Sequence, residues 1–322
     1  MKERSILLSE IAEHFGVPMI NGDIEINGLG LCNRTSVYPS ILSYVTSTEY
    51  IAAAKNNPSI KALFISKNHY ESISGYKDRF SFCISDSPEE DFYKAHAWLY
   101  DVTDFYEKPD APPVIGRDCR IHKSAIIENG TVIGDHVTIG ANSIIHSNSR
   151  IGNNTYIGCN SIIGSVGFQI IYTAQGTPFN TRHVGGTIIG NHVWIGDLVT
   201  VGNALFEGAV QIGDHTQINN HCHIGHNCII GESNVLTAHV SLLGSANVKN
   251  NCWLSPGAIV MNRVTVENNA MIGVNSAANK NVPQGNTIIG TPALPIKEYS
   301  RMRAILKKMI RYPPIHHFKN IV

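Results

Sequence analysis

Three histidines and two cysteines lie within fifteen residues of the chain, in the segment QINNHCHIGHNCIIG at 217–231. The five residues are His221, Cys222, His223, His226 and Cys228. Imidazole nitrogens and thiolates are common zinc ligands, and a neutral imidazole is equally suited to accept a proton near pH 7. The segment therefore predicts either a metal site or a general base, and the direction of each side chain decides between them.

The charge composition argues against two classes of partner. The 322 residues include 25 basic and 25 acidic side chains, so the formal net charge at pH 7 is zero. Without a strong positive field, neither nucleic acid nor an anionic membrane surface is an expected partner. No apolar run approaches the roughly 20 residues that span a bilayer, and the seven cysteines have no framework spacing. We therefore expect a cytoplasmic protein with reduced thiols and no membrane insertion.

An aliphatic residue recurs every six positions over 115–163, again over 189–201, and without a break over 212–272. A period of six fits neither a helix nor an alternating strand, but it is typical of a parallel β-helix, in which short strands and corners stack in coils. With three repeats to a coil, residues eighteen apart lie above one another at about 4.8 Å. The fold is therefore predicted to be a parallel β-helix.

Two segments interrupt the repeat, a long one at 164–188 and a shorter one at 202–211. Long loops without regular structure are often functional, and a plain surface insertion is the alternative.

The flanking regions predict two further parts of the chain. Residues 1–110 are expected to form a small α/β domain, with helices at SEIAEHFG and SPEEDFYKAHAWLY and strands at KALFIS and FSFCIS. Ser87 is the expected N-cap of the second helix, with Pro88 in its first turn. The β-helix is assigned to 111–291. A carboxy-terminal segment, 292–322, contains an amphipathic helix that either packs on the β-helix or contacts an acyl donor.

The repeat also sorts the opening cluster by side-chain direction. Cys222 and Cys228 occupy an inward position for small residues, as does Cys252, and are predicted to fill the core. His221 occupies a solvated corner position that it shares with His136, His192, His215 and His239. His226 lies two residues after the inward Ile224 and is predicted to point away from the core.

The six-residue repeat resembles that of the hexapeptide-repeat acyltransferases, and this resemblance implies a left-handed β-helix and a homotrimer. The order of α/β domain, β-helix and terminal helix resembles UDP-3-O-acylglucosamine N-acyltransferase of lipid A biosynthesis and related nucleotide-aminosugar N-acyltransferases. CHIGHN is similar to the catalytic stretch of that family, and the similarity implies that His226 corresponds to the catalytic histidine of the family. SYVTSTEY is similar to the segment that holds the nucleotide base between two aromatic rings, here Tyr44 and Tyr50. VGFQ and RHVGG resemble a sugar-binding loop, with Phe168 and His183 at the matching places.

Other segments depart from the lipid A enzyme. VGNALFEG replaces one of its loops, and Arg263 stands where that enzyme has a second histidine. GNTIIGTPA instead resembles the segment with which sugar acetyltransferases hold coenzyme A, and it includes Pro292. We therefore expect an acyl-CoA co-substrate, no permanently bound cofactor, and a nucleotide-linked amino-deoxysugar such as a dTDP-4-amino-4,6-dideoxyhexose. Acyl carrier protein as donor, in the lipid A reaction, is the alternative.

Amide formation from an amine and a thioester needs a proton acceptor and a donor for the oxyanion. His226 is the expected general base. Gly244, eighteen residues later, is predicted to offer its backbone N–H to the oxyanion. Three polar residues are predicted either to orient the sugar or to form polar ladders: Asn220, His223 and Asn227. Residues near the acyl-CoA are expected to be Gly244, Arg263, Lys280 and Pro292.

Alternatives remain for two of these assignments. Tyr44 and Tyr50 either clamp the base or pack the core of the small domain. His221 and His226 also have the His-x4-His spacing of gamma-class carbonic anhydrases, which are zinc enzymes with hexapeptide repeats. The third histidine of that class would fall near 185, which is a glycine, with His183 close by. A β-helix without catalytic activity is the remaining possibility.

Overall fold

The computed structural model describes residues 4–34, 36–206, 208–290 and 295–311. The amino-terminal part is an α/β domain. Its strands are β1 (Ile6–Leu7), β2 (Met19–Ile20), β3 (Glu25–Ile26), β4 (Gly28–Leu29), β5 (Ile41–Val45), β6 (Ile60–Ile65) and β7 (Ser81–Ile84). Its helices are α1 (Leu8–Phe15), α2 (Thr48–Asn56), α3 (Lys67–Ile73) and α4 (Pro88–Asp101), with a 3-10 turn at Ser74–Tyr76.

The main sheet of this domain has the order β2-β7-β6-β5-β4, in which only β2 runs antiparallel to its neighbour. Strands β1 and β3 pair separately. The helix predicted at SEIAEHFG begins at Leu8, where the Glu10 carboxylate accepts the Leu7 N–H at 3.2 Å. Helix α4 begins at Pro88 directly after Ser87, as expected, because proline at the first position loses no helical hydrogen bond.

The rest of the chain winds into a left-handed parallel β-helix with three faces, A, B and C. Face A contains Val114–Ile115, Val132–Ile133, Ser149–Ile151, Gly186–Ile189, Ala209–Ile212, Ile229–Ile230, Asn247–Val248 and Thr265–Val266. Face B contains Arg120–Ile121, Thr138–Ile139, Tyr156–Ile157, Trp194–Ile195, Gln217–Ile218, Val235–Leu236, Trp253–Leu254, Met271–Ile272 and Thr287–Ile288. Face C contains Ile126–Ile127, Ile144–Ile145, Ile162–Ser165, Thr200–Gly202, His223–Ile224, Ser241–Leu242, Ile259–Val260 and Ala277–Ala278.

The inward side chains form one continuous apolar core, as the period of six predicted. The aliphatic residue of nearly every repeat from Ile133 to Ile272 is buried, and so are Cys222, Cys228 and Cys252. The five predicted corner histidines all have a left-handed backbone with φ of 55–61°. Each of these corners joins two faces, and all five imidazoles are exposed, as predicted.

The corner between faces C and A, which we name the C–A edge, contains both interruptions of the repeat. The first includes an antiparallel hairpin of Ile170–Tyr172 and Pro178–Asn180, and the second is a short loop around Leu205. Both pack against the α/β domain. Gln169 donates to the Tyr93 hydroxyl at 2.8 Å, and Arg182 forms an ion pair with Asp101 at 2.6 Å. The α/β domain is therefore seated on this edge of the β-helix.

Helix α5 (Ile296–Arg311) follows the last coil and exposes its apolar side chains, among them Met302, Ile305 and Leu306. Within the described ranges, no helix is both long and apolar enough to cross a membrane.

Candidate active site

His226 lies on the C–A edge, just after the face C strand His223–Ile224, and is half-buried. Its Nδ1 lies 3.1 Å from Asn227 Oδ1, and that oxygen also accepts the Leu205 N–H at 3.1 Å. An amide oxygen can only accept, so Nδ1 must donate the hydrogen, and the lone pair of the neutral ring is on Nε2. The neighbouring asparagine thus fixes the tautomer that a general base requires.

The His226 ring lies directly over Gly244, eighteen residues further along the chain. A Cβ placed on Gly244 would come within 2.3 Å of Nε2 and 2.7 Å of Cε1. Among the described residues, no backbone or side-chain acceptor receives the Gly244 N–H. The predicted pairing of base and glycine is therefore present in the geometry, and its catalytic role stays a prediction.

Burial, followed by the charges of Arg34 and His223, lowers the pKa of His226, while its bond to Asn227 opposes that shift. At pH 7 the ring is therefore neutral and able to accept a proton. This is the protonation state that the proposed chemistry needs.

His183 packs beside His226 with the ring centroids 5.3 Å apart and the planes at 71°. It donates through Nδ1 to the Thr181 carbonyl at 3.1 Å, and its Nε2 is buried without a hydrogen-bond partner. Burial lowers the pKa of His183 to about 4. Gly167 makes this approach possible, because a Cβ there would meet His183 Nε2 at 2.4 Å. An unpaired acceptor therefore faces the same space as the candidate base.

The α/β domain contributes Arg34 to this region, from the loop after β4. Its guanidinium donates to Ser245 Oγ at 2.7 Å, and Ser245 adjoins Gly244 on the C–A edge. One coil further, the Arg263 N–H donates to the Gly244 carbonyl at 3.2 Å. The Arg34 side chain thus reaches the candidate base from the other domain, and Arg263 contacts Gly244 through its backbone.

A small pocket lies between the two domains. Its lining residues are Leu31, Cys32, Asn33, Tyr44, Tyr50 and Arg263. Tyr44 also donates to Glu89 at 2.8 Å, and its ring packs at 5.0 Å from Phe92. Tyr44 therefore meets both sequence interpretations, since it packs against the core and lines the pocket. The base clamp stays a prediction.

The other predicted residues lie outside this cluster. Phe168 is 79% exposed on the long excursion, and His223 points outward from face C. Asn220 lies at the corner between faces B and C, where its Oδ1 accepts the Asp197 N–H at 2.8 Å. This position favours the polar-ladder prediction for Asn220, because His226 lies at a different corner. Lys280 is exposed and lines a pocket of about 520 Å³ at the end of the β-helix. Pro292 lies outside the described residues.

Sequence reasoning missed His96 of helix α4, which is fully buried. Its Nε2 lies 3.1 Å from the Arg182 carbonyl and 3.3 Å from the Leu205 carbonyl, and its Nδ1 lies 2.8 Å from the Tyr106 hydroxyl. Carbonyls only accept, so Nε2 carries the hydrogen. Burial lowers the pKa of His96 to about 4. This side chain ties the excursion and the short loop to the α/β domain, and Leu205 in turn holds Asn227.

The histidine and cysteine cluster is divided among different surfaces. His221 stacks on His239 of the next coil at 4.8 Å, at the corner between faces B and C, whereas His226 lies on the C–A edge. Burial raises the pKa of Cys222 to about 11 and that of Cys228 to about 12, as expected for core thiols. Across the described ranges, no three His, Cys, Asp or Glu residues are grouped so that they could hold a metal ion.

The repeat and the three-faced coil define a hexapeptide-repeat β-helix protein. The family model described as bacterial transferase hexapeptide (six repeats) matches residues 112–147 and 130–165. No match is found among the curated proteins.

Three UDP-N-acetylglucosamine acyltransferases are among the similar solved structures. The protein from Bacteroides fragilis is 21% identical, with 66% of this chain and 84% of that one covered, at a TM-score of 0.48. The Francisella novicida protein is 26% identical, with 59% and 71% covered, at a TM-score of 0.36. The Arabidopsis protein is 22% identical, with 66% and 84% covered, at a TM-score of 0.37.

Proposed function

We propose that the protein is an N-acyltransferase that moves an acyl group from acyl-CoA to the amino group of a nucleotide-linked aminosugar. A dTDP-4-amino-4,6-dideoxyhexose is one such acceptor. The observation that supports this proposal best is the pairing of His226 Nε2, a neutral acceptor, with the free N–H of Gly244. The match to the bacterial transferase repeat agrees with group transfer.

The reaction requires one proton acceptor and one oxyanion donor. The sugar amine attacks the thioester carbonyl carbon, and His226 Nε2 takes the proton that the nitrogen loses. The carbonyl oxygen becomes negative and accepts the Gly244 N–H, an interaction that contributes a few kcal/mol in a preorganised site. Collapse of this intermediate breaks the carbon–sulfur bond, and the coenzyme A thiolate recovers the proton from His226. The products are an amide and free coenzyme A.

Lys280 supports the choice of coenzyme A. It lies three coils beyond His226 on the same edge, roughly 14 Å away at the coil spacing. Its pocket extends to Gly290, which lies within the segment similar to coenzyme A sites. A thioester at His226 would therefore direct its phosphates toward a cation.

A homotrimer is part of the proposal. The faces of the β-helix expose large apolar side chains, including Trp194, Trp253 and Ile229 at 46–48% exposure. Burying such side chains between subunits is favourable by about 25 cal/mol per Å². A solution mass of three times 35.2 kDa in light scattering is the expected result.

Mass spectrometry of the protein with UDP- and dTDP-aminosugars and a panel of acyl-CoAs tests the function. We expect one acylated sugar, and we expect His226→Gln to lower kcat by roughly 10²–10⁴-fold with nucleotide affinity unchanged. Turnover with acyl carrier protein alone would replace coenzyme A and favour the lipid A reaction. Stoichiometric zinc with activity lost to chelators would reject the metal-free mechanism.

A further inference from the structure

We infer that Arg34 and Arg263 together form a binding site for a diphosphate anion, supplied by the diphosphate that joins nucleotide and sugar in the acceptor. The inference rests on the proposed function for the identity of the ligand. The site itself rests on the arrangement of the two arginines.

Position is the first argument. Arg34 is held at Ser245 by a 2.7 Å hydrogen bond, and Arg263 stacks eighteen residues above Ser245, about 4.8 Å further along the C–A edge. The two side chains come from different domains and reach the same part of the edge. Gly244, under the candidate base, adjoins Ser245 and accepts the Arg263 N–H.

Charge is the second argument. Within the part of the chain that the structure describes, neither guanidinium forms an ion pair, and Arg34 has only a neutral hydroxyl as its hydrogen-bond acceptor. Burial and the charge of Arg263 lower the pKa of Arg34, so the two cations disfavour each other. An anion between them would offset both costs. A guanidinium pairs with phosphate oxygens through two parallel hydrogen bonds, which a compact ammonium cannot do.

Location between the other two candidate subsites is the third argument. Arg263 lines the pocket with Tyr44 and Tyr50, and Arg34 follows Asn33 of that pocket. His226 is on the opposite side, within reach of the Arg34 charge. A base at the tyrosines and an amine at His226 would leave the diphosphate beside the two arginines. The sequence predicted that Arg263 contacts the acyl-CoA. The inference instead assigns Arg263 to the diphosphate of the acceptor.

Calorimetric titration tests the site with matched probes: UDP, dTDP, the two nucleosides, and inorganic pyrophosphate. The variants are Arg34→Gln and Arg263→Gln, and Arg120→Gln on exposed face B is the control. Each site variant should lower the affinity for the nucleoside diphosphates by about 10- to 100-fold, which is the usual contribution of a hydrogen bond to a charged group. The affinity for the nucleosides should stay unchanged. The parent should also lose affinity more steeply with salt than either variant. Arg34→Lys should recover only part of the loss.

Three results would overturn the inference: equal losses for nucleoside and diphosphate, unchanged diphosphate affinity in both variants, or a parent that binds no probe at millimolar concentration. Unchanged melting temperatures verify that the variants fold. The proposed function can fail separately. Pyrophosphate binding that requires both arginines, without acyl transfer to any nucleotide sugar, would support the anion site and reject the acyltransferase.

Discussion

Replacement of Gly244 by alanine should separate catalysis from folding. The added Cβ would lie 2.3 Å from His226 Nε2, 2.7 Å from Cε1 and 3.0 Å from Cδ2. Ordinary contacts begin near 3.4 Å, so the ring must retreat by about 1 Å. A displacement of that size at a reacting group costs on the order of 10²-fold in rate. We therefore expect Gly244→Ala to lower kcat by about that factor.

The fold should tolerate the same substitution. Gly244 is not among the residues with positive φ, so alanine meets no backbone strain there, and the atoms that it crowds belong to one half-buried side chain. Steady-state acyl transfer gives kcat, and thermal unfolding monitored by circular dichroism gives stability. Gly22→Ala is the control, because a Cβ there has no neighbour within 4 Å. Full activity of Gly244→Ala would refute the placement of His226 as the base, and a parallel collapse of stability would remove the catalytic interpretation.

Three further predictions concern titratable groups. Burial keeps the pKa of His226 below 6.5, so kcat/KM should be level through pH 7 and fall only in more acid buffer. A pH profile whose midpoint lies above 6.5, and which His226→Gln abolishes, would contradict this. His96 and His183 have folded pKa values of about 4 against an ordinary 6.5, so their stabilisation is complete above pH 6.5 and is lost as the pH falls toward 4. Denaturant titration should show that the free energy of unfolding falls by about 3 kcal/mol per histidine between pH 6.5 and pH 4. The fall should be smaller in His96→Phe, which lacks one of the two titrating groups. A thiol reagent at pH 8 should first modify the two half-buried cysteines, Cys119 and Cys159, and should modify the five buried ones only on unfolding. Rapid labelling of Cys228 would contradict its core position.

The repeat predicted most of the architecture because the period of six reports a local property, the inward direction of one side chain per strand. The same spacing placed Gly244 under His226, since eighteen residues make one coil wherever no loop intervenes. Asn220 was harder to place, because polar residues occur at all three corners and the six-residue pattern does not distinguish one corner from another.

Arg34 and His96 could not be found in this way. Each acts across the boundary between the α/β domain and the β-helix, and the sequence gives no spacing that relates two separately folded parts. The excursion that receives His96 has no repeat of its own, so its hairpin and its contact with helix α4 depend on tertiary packing.

Both interruptions leave the coil and return to it at the same corner. The chain re-enters one strand spacing from where it left, whatever the length of the loop, and each doubling of loop length adds only about 0.6 kcal/mol of closure entropy. Faces A and B continue their register across the breaks, and face C shifts its register only between Ile163 and Ser165, where the first interruption begins. Every coil along this edge is therefore an equivalent point at which a segment of new length can be spliced. Natural variation or design can therefore change the loops of this edge in length and sequence while the scaffold beneath keeps its hydrogen bonds and its core.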